Sequence, residues 1–528
     1  MRDTAEYDVC IIGAGVAGAL LAFRLGRAGA KVVVLEAGRR HRVDERLAYM
    51  QRFLAQDNPW ATENPQRDLY TNGGTVEYPL NRLRVKAVGG TTLHWGGMSP
   101  RLHESDFEMR SRYGIAVDWP ITYTELEPYY CQAETELGVA GEDDNPFGPP
   151  RSRPYPLPGF PASADETKLR QVCKALGIRF HTLPQARASV GYRGRPACQA
   201  FSTCKVCPIR AKYSADLHIE LAETTGNVTV LPLANVLRLE VDPQRRLKCA
   251  IYATPDRVEH RCAARVFVLA AHAVESARLL LLSESAAFPH GLANASGMVG
   301  KYFMEHASYS RTGQITGVHF PHYYDFETVQ SEQFYDEPGR DQRAAFILQG
   351  MAGRPTPAQI ANDFIKSSGH WGNDLEAELR RALTEAFGRS FWIEAMLEPL
   401  PVETNRIELD REVKDYFGNP CPRIIYNITE YERAAMRRAD RVIKSMFDAL
   451  GAHTLAPADV GFGAHQSGTC RMGRDPESSV VDPNLCAHDV KNLYIVGSSV
   501  FPTIGALMPT LTIAALALRL GDHLLAIR

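Results

Sequence analysis

The sequence predicts an α/β protein, α+β overall, built on a Rossmann-like nucleotide-binding sheet with at least one further domain. Three observations carry this. The chain opens on a strand, a glycine turn, a helix and a second strand in quick succession. Its 528 residues exceed what one hydrophobic core organises, so two interleaved domains are expected. Its 45% hydrophobic and 23% charged residues are those of an ordinary globular protein. With 59 Lys+Arg against 61 Asp+Glu, the net charge of −2 gives no electrostatic case for nucleic acid or an anionic membrane as the main partner.

Residues 8–12 (DVCII) form a short apolar run suited to a buried strand, and Gly13, Gly15 and Gly18 follow in a GxGxxG turn. Residues 19–28 read as a helix and residues 31–35 (KVVVL) as the second strand, closed by Glu36. In this context Gly13 permits the tight turn and Gly15 lets the backbone approach a pyrophosphate. Gly18 lets helix and strand pack, and Glu36 accepts hydrogen bonds from ribose hydroxyls. The acidic residue disfavours a 2′-phosphate. The fingerprint alone does not separate NAD from FAD.

Further along, residues 88–97 (VGGTTLHWGG) hold Gly89, Gly90, Thr91, His94, Trp95, Gly96 and Gly97, a stretch whose bare backbone can lie against a large planar ligand. Eleven cysteines are too dilute for a disulfide scaffold, yet Cys198, Cys204 and Cys207 are bunched and followed by Pro208. Three thiolates suit zinc or an iron–sulfur cluster, and three ligands match a [3Fe-4S] cluster most economically; a disulfide within the set stays open. Residues 228–241 alternate as a strand pair should. Residues 265–283 read as strand, small-residue turn and helix, and residues 492–503 as a strand leading to a loop. The apolar run 511–518 is too short to span a bilayer and reads as a core helix. Residues 1–7 show no export signal.

Taken together, VGGTTLHWGG, RVFVLAAHAVESARLLLLS, GAHQSGTCRMG, NLYIVGSSVFPT and TLTIAALALR resemble the glucose-methanol-choline (GMC) oxidoreductases. The likeness is greatest to the catalytic subunits of bacterial FAD-dependent glucose, sugar and polyol dehydrogenases. The resemblance implies an FAD domain from residues 1–155, 195–306 and 460–528, with an inserted antiparallel-sheet substrate domain from 156–194 and 307–459. It implies that the flavin ring lies against residues 89–97, where some members attach it covalently through a histidine at the place of His94. It implies cofactor contacts at Val236, through its backbone to adenine, and at Ala271, Gly497 and Met508. It also implies a [3Fe-4S] cluster on Cys198, Cys204 and Cys207, although the last gap here is two residues where relatives have three.

The same resemblance makes His465 the catalytic base, a role suited to a side chain with an ordinary pKa of about 6.5. Met508 stands where members carry Asn or His, and a thioether cannot donate a hydrogen bond. Either His465 works alone, or another residue such as Gln466 or His94 supplies the second contact, or turnover is reduced. His306, His453 and His488 receive no role. The expected function is hydride transfer from an alcohol of a sugar, polyol or glycoside to flavin N5, with electrons leaving through the cluster. An oxygen-using oxidase and a non-catalytic electron-transfer flavoprotein are the alternatives. The implied partners are a sugar-like substrate, a small subunit and a cytochrome or other acceptor, in the cytoplasm or, by co-export, at the periplasmic membrane face.

Overall fold

A computed structural model describes residues 7–55, 57–61, 64–201, 203–315, 320, 324, 326–352, 361, 375–386, 389–454 and 457–528. Strand Tyr7–Ile12 is almost wholly apolar and buried at its C-terminal end, as a strand paired on both edges must be. It runs parallel to Val32–Leu35 on one side (Val9 opposite Val32) and to Glu259–Leu269 on the other (Val9 opposite Val266). Val228–Leu231 extends this sheet beyond Val32–Leu35, and Leu493–Ile495 joins it along Glu259–Leu269. The start, middle and end of the chain thus supply one seven-stranded sheet.

Residues 228–241 do contain two strands, but they do not pair with each other. Val228–Leu231 pairs with Val32–Leu35, whereas Asn235–Val241 pairs antiparallel with Leu247–Ala253. The connection explains why: Leu233 N–H donates to Gly38 O (2.9 Å) and Ala234 N–H to Glu36 O (2.9 Å), so the chain is drawn across the turn after Leu35 instead of folding back as a hairpin. The apolar run 511–518 lies in helix Thr510–Ala526 and is buried apart from Ile513; among the described residues no helix is long and apolar enough to cross a membrane.

A second, antiparallel sheet orders Phe346–Ala352, Ser390–Leu397 and Ala307–Ile315, with Ala452–Thr454 and Asp459–Phe462 both pairing to the last of these. Helix Glu430–Leu450 covers one face. Its Thr429/Glu432 capping box closes the N-terminus, and its Asp440 accepts hydrogen bonds from Tyr309 Oη (2.7 Å) and Arg311 Nε (2.6 Å) of the central strand. Strand Arg406–Lys414 and helix Leu375–Ala386 belong to the same part of the chain. One pairing matters most for the site: Ala307 faces Phe462. The residue before Ala307 and the residues after Phe462 are therefore brought together at one corner of the sheet.

Candidate active site

Between the first strand and its helix the chain opens onto a cleft of roughly 1170 Å³, mouth included. Gly13, Gly15, Glu36, Gly90, Thr91, Val236, Ala271 and Gly497 line it. A Cβ at Gly15 would meet nothing within 4 Å, so the bare backbone leaves room for a ligand on the cleft side. Gly18 lies behind, where a Cβ would fall 2.0 Å from the Gly13 carbonyl oxygen, and serves the packing of helix on turn. Gly15 caps helix Val16–Arg27 without a side-chain hydrogen bond, which leaves its first N–H groups available to an anion.

Glu36 is held by this turn, since its carboxylate accepts from Ala14 N–H (2.9 Å) and Gly38 N–H (2.8 Å). Burial raises its pKa, and those two N–H groups, Lys86 and Arg67 oppose the rise. Each oxygen keeps a lone pair for a ribose hydroxyl. Cradle, open helix end and acceptor fit a dinucleotide such as FAD. Arg84, Lys86, His272 and Glu275 also line the cleft. His272 and Glu275 belong to the stretch RVFVLAAHAVESARLLLLS, whereas Arg84 and Lys86 lie in no motif. Glu275 pairs with Arg84 (2.5 Å) and Lys86 (3.1 Å), so the charge there is largely internal.

The glycine-rich stretch divides in two. Gly90 and Thr91 face the cleft, while Gly89, His94, Trp95, Gly96 and Gly97 do not line it. Gly89 N–H donates to Ala14 O (3.0 Å) of the glycine turn, whereas Trp95, Gly96 and Gly97 are held by other segments. Trp95 Nε1 donates to Tyr213 O (2.8 Å), Arg187 Nη2 to Gly96 O (3.0 Å) and Ala186 N–H to Gly97 O (2.6 Å). Lys212 Nζ bridges Trp95 O (2.5 Å) and Cys204 O (2.6 Å). Burial, then Lys205 and Lys212, hold the His94 pKa down at about 3, so its ring is neutral.

The cysteines meet the same two residues. Arg187 Nη1 lies 3.4 Å from Cys204 Sγ and 3.9 Å from Cys198 Sγ, and Lys212 N–H donates to Cys207 Sγ (3.5 Å). Burial and Arg187 push Lys212 down to about 7. Among the described residues none of the three is in a disulfide, and no three His, Cys, Asp or Glu side chains converge to hold a metal ion. The expected ligand set is thus not gathered as one: Cys198 and Cys204 face the Arg187 guanidinium, and Cys207 accepts from a backbone N–H. Met508 is buried in the main core and is not among the residues lining the cleft.

His465 sits at the corner between the sheets, half-buried, in a loop whose Ala464 has a positive φ of 62°. Its backbone N–H donates to Glu305 Oε1 (2.8 Å), and Tyr78 Oη donates to Glu305 Oε2. Burial pushes the Glu305 carboxyl up to about 7. Gln466 is tied to the cleft wall from two sides: His272 Nε2 meets its Oε1 (3.0 Å) and Ser498 Oγ donates to its carbonyl (2.6 Å). Its amide nitrogen donates to Tyr78 Oη. Gln466 is therefore spent on the scaffold, and His94 makes no recorded contact with His465. The side chain that does contact His465 is His306, with the two Nδ1 atoms 2.7 Å apart. Burial and then His306 hold the His465 pKa well below the ordinary histidine value. His453 is exposed on the short strand Ala452–Thr454, and His488 contacts Ser479 Oγ (2.9 Å).

Similarity to known proteins points the same way as this geometry. Residues 401–517 match the GMC oxidoreductase family and residues 6–52 match the FAD binding domain family. The fructose dehydrogenase large subunit of Gluconobacter japonicus is 32% identical, covering 99% of this chain and 98% of its own. The 6'''-hydroxyparomomycin C oxidase of Streptomyces lividus is 30% identical over 99% of this chain and 92% of its own. Pyridoxine 4-oxidase from Mesorbium loti shares the fold at a TM-score of 0.69 and 19% identity, covering 98% of this chain and 99% of that one. With a full-length relative above 30% identity, an FAD-type cleft and the mixed α/β architecture, the chain belongs to the GMC oxidoreductases, FAD-dependent enzymes acting on alcohol groups.

Proposed function

We propose that the protein is a dehydrogenase that oxidises an alcohol group of a sugar, polyol or glycoside, with His465 as the base and an external electron acceptor. Bound FAD supplies the hydride acceptor. The turn residues Gly13 and Gly15, the helix end behind them and Glu36 bind its diphosphate and ribose. His465 takes the hydroxyl proton at Nε2, the ring nitrogen turned away from His306, for which no protein partner is recorded among the described residues. The observation that supports this reading is the double tether of Gln466, the chain neighbour of His465, to His272 and Ser498 of the cleft wall.

The cysteine segment is the proposed electron exit. Its support is chemical: buried Arg187 and Lys212 would balance a negatively charged thiolate group, and Lys212 joins that segment directly to Trp95. The thiol arrangement alone does not build a [3Fe-4S] ligand set, so iron content is the deciding measurement. About three irons per flavin supports the exit. Iron-free protein with full acceptor activity makes the thiols structural. The oxidase reading draws on the 30% identical paromomycin-type relative, and rapid oxygen consumption without added acceptor would establish it. A panel of sugars, polyols and glycosides, tested anaerobically for bleaching of the flavin absorbance, identifies the substrate. No bleaching by any member would remove the dehydrogenase and oxidase readings together.

A further inference from the structure

His306 falls in none of the sequence motifs, yet its ring makes the one recorded side-chain contact to the His465 ring among the described residues. The rings stand nearly perpendicular, at 83° with centroids 4.9 Å apart. A hydrogen bond between two imidazole nitrogens needs a proton on one and a lone pair on the other. The second nitrogen of His306 decides which. Its Nε2 lies 2.8 Å from the Gly505 carbonyl oxygen, which can only accept. The His306 proton therefore sits on Nε2 and its Nδ1 presents a lone pair. His465 must then donate from Nδ1, and its Nε2 is bare.

The surroundings hold this arrangement. Ala506 N–H donates to Tyr335 Oη (3.0 Å), Tyr335 Oη donates to Asp106 (2.7 Å), and Asp106 pairs with buried Arg340 (2.6 Å), so the loop carrying the Gly505 carbonyl is fixed. A Cβ on Gly463 would fall 2.5 Å from His465 Nδ1, so the glycine clears the space the ring occupies. Burial keeps both rings neutral, with His306 held at about 4.

We propose that His306 is a positioning residue that locks His465 in the Nδ1–H tautomer and keeps Nε2 free to take the substrate proton. The proposal rests on the reading of His465 as the base. The arriving proton stays within the His465–His306 pair, because the His306 Nε2–H faces a carbonyl that cannot carry a proton onward.

The test uses flavin-loaded protein with ¹⁵N-labelled histidines, the His465 signals being identified by their loss in His465→Gln. The wild type is expected to show His465 protonated at Nδ1 and unprotonated at Nε2. In His306→Phe the proton moves to Nε2, wholly or in part, and in His306→Asn, whose side-chain oxygen can stand in as acceptor, the Nδ1–H form returns. Substrate-driven flavin reduction falls roughly 10²-fold or more in His306→Phe with KM changed little, as expected for a base in the wrong tautomer, and recovers at least about tenfold in His306→Asn. An Nε2–H tautomer in the wild type, or an unchanged tautomer in His306→Phe, overturns the proposal. The spectra need no substrate, so failure of every alcohol to reduce the flavin would count against the proposed function and leave this result to stand separately.

Discussion

The cofactor cleft and the histidine corner touch through Gln466, yet they are built by different means. The cleft is a backbone structure: a turn, an open helix end and glycines where a Cβ would intrude, with its first half contained in residues 13–36. The corner is a side-chain structure, in which His306, Tyr78, Glu305, Gln466 and His465 arrive from widely separated parts of the chain. A site made of backbone tolerates changes that keep its shape and fails when an atom is added. A site made of side chains fails when one functional group is removed, even if the shape survives.

Substitutions in the two regions should therefore fail differently. The largest effect belongs to His465→Ala, which should slow substrate-driven flavin reduction by roughly 10²- to 10⁴-fold while FAD content stays normal. Stopped-flow absorbance measures this, and near-normal reduction would end the assignment of the base. In the cleft, Gly18→Ala should destabilise the fold by about 1–3 kcal/mol in denaturant titration, because the new methyl meets the Gly13 carbonyl oxygen. Gly15→Ala has open space around it and should leave apo-protein stability unchanged while weakening FAD binding in fluorescence titration. Equal loss of stability in both variants would erase the distinction between packing glycine and ligand glycine.

Smaller effects concern pH. A histidine whose pKa is depressed in the folded protein stays neutral as pH falls through 6.5, so proton abstraction by His465 should persist well into the acid range. An acid limb in kcat/KM assigned to His465 at pH 6.5 or above would contradict this. The Glu305 carboxyl, raised to about 7, is protonated below that value and charged above it, beside the backbone N–H of His465. The rate profile should carry a shallow inflection near pH 7 that disappears in Glu305→Gln; an inflection that survives belongs to another group.

The same contrast explains what could be read from the sequence. Gly13, Gly15 and Glu36 were legible because strand, turn and acidic residue follow one another in a short span whose physics is local. The apolar C-terminal helix and the three-part sheet were legible from hydrophobic runs and family resemblance. His306 was not: it lies 159 residues from His465 and reaches it only through the pairing of Ala307 with Phe462, a register that no local pattern encodes. The glycine-rich stretch was half legible, since its composition promised a flat backbone but gave no sign that Arg187 and Lys212 would draw Trp95 and Gly96 toward the cysteines. The cysteines stood out as a group, while the direction of each thiol depends on the fold of the segment.

The most direct test of the account is anaerobic titration of the flavin-loaded protein with the alcohol panel, wild type beside His465→Ala, followed by flavin absorbance. The account predicts that at least one sugar, polyol or glycoside bleaches the wild-type flavin within seconds and that His465→Ala, with the same flavin content, bleaches at least about a hundredfold more slowly. Equal bleaching in the two proteins, or none in the wild type with any alcohol, would contradict it.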